Sequence, residues 1–211
     1  MKGEISIARA VQAIGRPVFT SREIAALRGS SVSAASRGLW RMEQQGLLAR
    51  AARGVWCAPN HPRFTPFALV PYLAGSHQAY VSFFSALHLH GLIEQIPRVI
   101  YVATTGHPRI TTTSIGTYSL HRIHPRFFAG FDWYQGRHEF LIASPEKALV
   151  DCLYLSSRRG KRFGFFPEID LGGRFSVRRA EEWVARIPDA RIREHVTRRL
   201  KAIRRGDRQR R

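Results

Sequence analysis

Acidic residues are scarce: 15 Asp and Glu stand against 34 Lys and Arg, giving a formal charge of +19 over 211 residues. That imbalance disfavours cationic ligands and points to polyanionic partners, nucleic acid first among them. Cysteine is scarcer still. Cys57 and Cys152 lie far apart and neither belongs to a C-x-x-C pair, which excludes a disulfide framework or a cysteine-rich zinc knuckle and predicts two reduced, buried thiols. Long apolar runs are missing: segments such as Val99 to Ala103 are far too short to span a bilayer, and no stretch of signal-peptide length occurs near the N-terminus. A soluble, cytoplasmic protein is the expectation. There is no G-x-S-x-G elbow and no phosphate-binding P-loop, so neither a serine hydrolase nor a nucleotide triphosphatase is indicated.

What is present suffices to fold. Hydrophobic residues make up 44% of the chain, with 13 Phe and 4 Trp, which argues against wholesale disorder. The length suits one small module plus one larger domain.

The first sixty residues carry the most specific pattern. Ile5, Ala8, Val11 and Ile14 recur at helical spacing from Glu4 until Gly15 and Pro17 stop the pattern. Thr20-Ser21-Arg22-Glu23 reads as a capping box opening a second helix, with Ile24 and Leu27 on its buried face. Gly29 allows a reversal, Ser30 or Ser31 caps a third helix to about Gln45, and Gly46 ends it. On that third helix Val32, Ala35, Leu39 and Met42 share the inward side. Ser33, Arg37, Arg41 and Gln44 share the outward side, a polar set without an acid. Leu47 to Cys57 then reads as two short strands joined by a turn, with Arg50 and Arg53 near its tip. Three short helices followed by an arginine-bearing hairpin predict a winged helix-turn-helix over residues 1–60, with Ser31, Ser33, Arg37, Arg41, Gln44, Arg50 and Arg53 as its DNA-binding residues.

The segment His61-Pro62-Arg63-Phe64-Thr65-Pro66 lacks periodicity and reads as a linker. Beyond it the pattern is α+β: helices at Phe67 to Ala74 and Ser82 to His90, strands at Val99 to Thr104, Tyr118 to Ile123 and Glu139 to Ala143, and a helix opening at Ser144-Pro145-Glu146-Lys147. The C-terminus is helical again, with Ile192, Val196, Leu200 and Ile203 on one stripe and Arg191, Arg198, Lys201 and Arg205 on the remainder. The whole is therefore α+β, an N-terminal winged helix-turn-helix followed by a mixed domain over 61–206 and a disordered basic tail over 207–211. That basic C-terminus suits phosphates. It lacks the Trp and Phe anchors of an interfacial membrane helix.

The order of these features resembles the AbiEi antitoxins of type IV toxin-antitoxin systems. The resemblance rests on Phe19-Thr20-Ser21-Arg22-Glu23-Ile24, on Gly46-Leu47-Leu48 leading to Arg53-Gly54-Val55-Trp56, on Tyr80 through Leu92, and on Ala143 through Asp151. It implies a bacterial transcriptional regulator that binds double-stranded operator DNA, with inverted repeats, and represses its own operon. It also implies opposition to a nucleotidyltransferase-like toxin, with direct contact not required. Its DNA-contacting surface falls on the third helix and the hairpin.

Some relatives join a similar module to a nuclease domain, so carboxylates matter. Glu139, Glu146, Lys147 and Asp151 form the one cluster of suitable type, a metal-dependent nuclease being the alternative function. Glu146 and Lys147, however, open a helix, where the dipole accounts for the acid and solvent for the lysine. Histidines do no better. His88 and His90 diverge on a helix, while His121 with His124 and Cys57 with His61 supply too few ligands. No catalytic residue, metal or cofactor is expected.

Overall fold

The computed structural model describes residues 5–134, 140–157, 163–172 and 175–210. Helix α1 (Ile7–Ile14) starts where the Ser6 hydroxyl accepts from the Arg9 amide and stops at Gly15, whose φ of 64° closes it. Strand β1 (Val18–Thr20) leads into helix α2 (Ser21–Arg28), then helix α3 (Val32–Gln44) and a hairpin of strands β2 (Ala49–Ala52) and β3 (Val55–Cys57). The capping box forms: Thr20 and Glu23 satisfy each other's backbone amides. β3 lies in the centre of a three-stranded antiparallel sheet, with Phe19 opposite Trp56 on one side and Arg50 opposite Trp56 on the other.

Alternation along these strands divides their side chains between two cores. Phe19 and Trp56 join Ala10, Ile24, Ala25, Ala35, Leu39 and Leu48 under the three helices. Val18, Ala51, Val55 and Cys57 face the other way and belong to the larger core of the chain. The small sheet is thus a shared wall, and the Tyr72 hydroxyl adds a 3.0 Å hydrogen bond to the Val18 carbonyl.

No helix or strand occurs between Cys57 and Pro66. The expected helix at Phe67 to Ala74 is instead a 3₁₀ turn, Pro66–Leu69, running into a single-turn helix α4 (Val70–Leu73). Pro66 and Pro71 each lack the amide needed to extend a hydrogen-bonded ladder upstream. There follow β4 (Ala79–Val81), α5 (Phe83–Leu89), β5 (Ile100–Thr104), β6 (Arg109–Thr112), β7 (Thr117–Arg122), β8 (Phe131–Trp133), β9 (Leu141–Ala143), α6 (Pro145–Ser156), α7 (Val177–Ala185) and α8 (Ala190–Arg210). The strands form a six-stranded mixed sheet in the order β6-β7-β5-β4-β9-β8, parallel at β5/β7 and β4/β9. The chain is α+β with a helical C-terminus.

Two further expectations fail in this part. Lys147 is not solvated: it is fully buried on α6, ion-paired with Asp151 one turn on, its Nζ 3.0 Å from the Tyr80 hydroxyl and 4.0 Å from the Phe127 ring. β4 supplies the neighbours that make this burial tolerable. The second failure is the tail: α8 continues to Arg210, and Asp207 is buried, accepting a 3.0 Å hydrogen bond from the Leu171 amide. The stripe on α8 packs as read, with Val196 and Leu200 buried and Ile192 and Ile203 half-buried. Arg211 and Glu139 lie outside the described residues.

Candidate nucleic-acid interface

The geometry of the interface begins with the cap of α3. Gly29 takes φ 64° and lets the chain reverse after α2, and Ser31 then accepts from the Ala34 amide at 3.1 Å. Ala35 and Leu39 are fully buried and anchor the helix, with Met42 half-buried beside them. Val32, expected inward, is 47% exposed. It occupies the first turn of α3 and joins neither buried cluster.

The outward side carries Ser33, Arg37, Arg41 and Gln44, all exposed. Arg37 donates from Nη1 to the Ser33 hydroxyl one turn back, at 3.0 Å, which holds the guanidinium along the helix. Trp40 shares this side and is 52% exposed.

The hairpin is held beside α3 by specific bonds. Trp56 Nε1 donates to the Ser21 hydroxyl at 2.8 Å, and the Ser36 hydroxyl donates to the same oxygen at 2.9 Å, so β3, α2 and α3 meet at one atom. The Arg50 amide donates to Glu43 Oε1 at 2.9 Å, fixing β2 against the C-terminal half of α3. Arg53 sits in the turn before Gly54, whose φ is 73°. Arg50 stands three residues earlier, opposite Trp56 rather than at the tip, with its guanidinium carbon 5.8 Å from the Trp56 ring centre.

These elements and α4 enclose an open cleft of ≈ 1220 Å³. Arg22, Ser33, Arg37, Trp40, Arg50 and Arg53 line it together with Pro71, Tyr72 and Gly75, and among the described residues no acid takes part in the lining. Four of the seven sequence candidates therefore converge: Ser33, Arg37, Arg50 and Arg53. Ser31 is occupied as a cap, while Arg41 and Gln44 are exposed farther along the helix. Sequence reading missed Arg22, which follows the capping residue of α2 by two positions, and Trp40, whose apolar character hid it among polar neighbours.

The carboxylates named for a nuclease are engaged elsewhere. Asp151 Oδ2 accepts from Tyr80 (3.0 Å) and Ser82 (2.8 Å) while Oδ1 takes Lys147. Burial, the largest cause, pushes Asp151 above the usual carboxylate range, against the attraction of Lys147; burial likewise pushes Lys147 below its usual value. Glu146 is buried and accepts from the Ser176 amide at 2.9 Å. Among the described residues no group of three His, Cys, Asp or Glu is placed to hold a metal ion. His90 meets the Ala143 carbonyl at 2.7 Å, His88 the Ile93 carbonyl at 3.3 Å, and His121 the Ser119 hydroxyl at 3.0 Å. His124 and His61 each accept a nearby backbone amide. Cys57 donates to the Ala49 carbonyl, and burial pushes its thiol up to about 11; neither cysteine is in a disulfide. No helix among the described residues is long and apolar enough to cross a membrane.

A transcriptional regulator is the class to which the N-terminal segment points. Residues 6–59, which contain α1 through β3 and every candidate interface residue, match the family model described as transcriptional regulator, AbiEi antitoxin. The resemblance read from the sequence is shown for that segment, 54 of the 211 residues. No curated protein matches the chain.

Proposed function

We propose that residues 1–60 form a winged helix-turn-helix that binds double-stranded DNA, with α3 in the major groove and the β2–β3 hairpin as the wing on the phosphates. The observation that carries this reading is the convergence of Arg22, Arg37, Arg50 and Arg53, from three separate elements, on one cleft with no acid among its described lining residues. Arg37, held by Ser33 on the helix, is placed to read a base edge, whereas Arg53 on an exposed turn suits phosphates. Ser31, Arg41 and Gln44 extend the same face beyond the cleft.

The second part, 61–206, is the antitoxin-type domain, and the protein is the antitoxin of a type IV pair. It represses its own operon in the bacterial cytoplasm and counteracts a nucleotidyltransferase-like toxin, with no direct contact implied. The family match to an antitoxin regulator supports this role. No cofactor is needed for it, and no catalysis is assigned.

An electrophoretic shift with the chain's own upstream region tests the reading. Binding that survives excess random duplex is expected, together with repression of a reporter carrying that region. Equal competition by random and upstream duplexes, with no repression, would overturn it.

A further inference from the structure

We propose that Trp40 is a specificity-determining contact of this interface, an apolar reader of 5-methylpyrimidines, which in ordinary duplex DNA means thymine. The inference rests on the duplex-binding reading above and names what one position of that site recognises.

Helical geometry puts Trp40 at one edge of the outward polar side, with Ser33, Gln44 and Arg37 all to the same side of it. At 3.6 residues per turn it falls about 20° from Ser33, about 40° from Gln44 and about 60° from Arg37. It takes part in neither apolar core, and 52% of its surface is exposed. Core packing therefore does not account for a tryptophan here. Its ring lines the cleft together with Ser33, Arg37 and the half-exposed Val32, so the polar donors on α3 are interrupted by an apolar surface.

The major groove offers one kind of apolar group, the methyl on C5 of thymine or of 5-methylcytosine. An arginine reads guanine through O6 and N7 in the same groove. Arg37 and Trp40 are three positions apart and reach neighbouring base pairs, which suits a guanine next to a methylated pyrimidine. Covering one methyl group is worth about fourfold in affinity.

The test begins with selection of duplexes from a random pool by the full chain at fixed salt. Binding is then measured by anisotropy for the selected duplex, a random duplex, and versions of the selected duplex in which each thymine in turn is replaced by deoxyuridine. Wild type, Trp40→Ala and Trp40→Phe are compared, their folds checked by circular dichroism and thermal melting. The wild type is expected to lose about fourfold at one or two thymines, Trp40→Phe to keep that loss, and Trp40→Ala to bind the selected duplex more weakly and ignore the missing methyl. A folded Trp40→Ala that still senses the methyl would overturn the inference and leave duplex recognition intact. So would a change in the sedimentation of the free protein, which would make Trp40 a contact between copies. A wild type that prefers no duplex, or prefers the single strand, would instead bring down the duplex reading itself.

Discussion

Trp56 Nε1 donates a 2.8 Å hydrogen bond to the hydroxyl of Ser21, and both residues are buried, at 2% and 1% exposure. Through this bond the central strand of the small sheet is fixed to the first residue of α2, and Ser36 draws α3 to the same oxygen. Together with the bond from the Arg50 amide to Glu43, it sets Arg50 and Arg53 beside Arg37. Removing the shared acceptor leaves a buried indole N–H unpaired, so Ser21→Ala should cost about 1–3 kcal/mol. Urea melts read that loss. Affinity for duplex should fall as well, because the hairpin loses one of the bonds that hold it beside α3.

Arg37 and Arg53 should fail differently. Arg37→Ala is expected to lose about 1–3 kcal/mol of discrimination at one base position while still binding random duplex. Arg53→Ala should weaken all duplexes alike and lower the slope of log affinity against log salt by about 1. Competition assays at several salt concentrations separate the two. Equal losses on selected and random DNA for both variants would contradict the assignment.

The buried pair on α6 makes a prediction about stability rather than about chemistry. Both members are drawn toward neutrality by burial, so their attraction does little more than offset desolvation. Asp151→Ala should destabilise by about 3–5 kcal/mol, since it strands a buried lysine. A Lys147→Met, Asp151→Leu double variant should recover most of that loss. Chemical denaturation of the three proteins is the check, and a double variant as unstable as Asp151→Ala would show that the pair itself supports the fold.

Glu23 gives a pH-dependent expectation. Burial raises its pKa, but its hydrogen bonds to Thr20 and the charge of Arg16 outweigh that and hold it below the usual carboxylate range. A depressed folded pKa contributes stability that is present above the unfolded value, about 4.3, and is lost as pH falls through the folded value. The stability gap between wild type and Glu23→Gln should thus be full at pH 6 and close below about pH 4. Melting temperatures across that range measure it.

Much of the N-terminal architecture was legible because its signals are local. The Thr20-to-Glu23 box, the Gly29 reversal, a serine cap at Ser30 or Ser31 and the hairpin around Gly54 each follow from a few adjacent residues. Strand β1 was not, since three residues carry no periodicity and gain their identity only by pairing with β3. β4 and β8, of three residues each, and β6, of four, escaped likewise. Lys147 misled because its partner Tyr80 lies 67 positions away, across the β4/β9 junction. The convergence of Arg22 with Arg37 and Arg53 depended on Ser21 meeting Trp56, which no spacing reveals.

The interface is tested most directly by the affinity of the full chain for its own upstream duplex, followed by anisotropy from 50 to 200 mM salt in wild type and in a variant with Arg22, Arg37, Arg50 and Arg53 all changed to Ala. The account predicts tight, salt-sensitive binding by the wild type and a folded variant whose residual binding matches random duplex. A variant that keeps wild-type affinity and salt slope would contradict it.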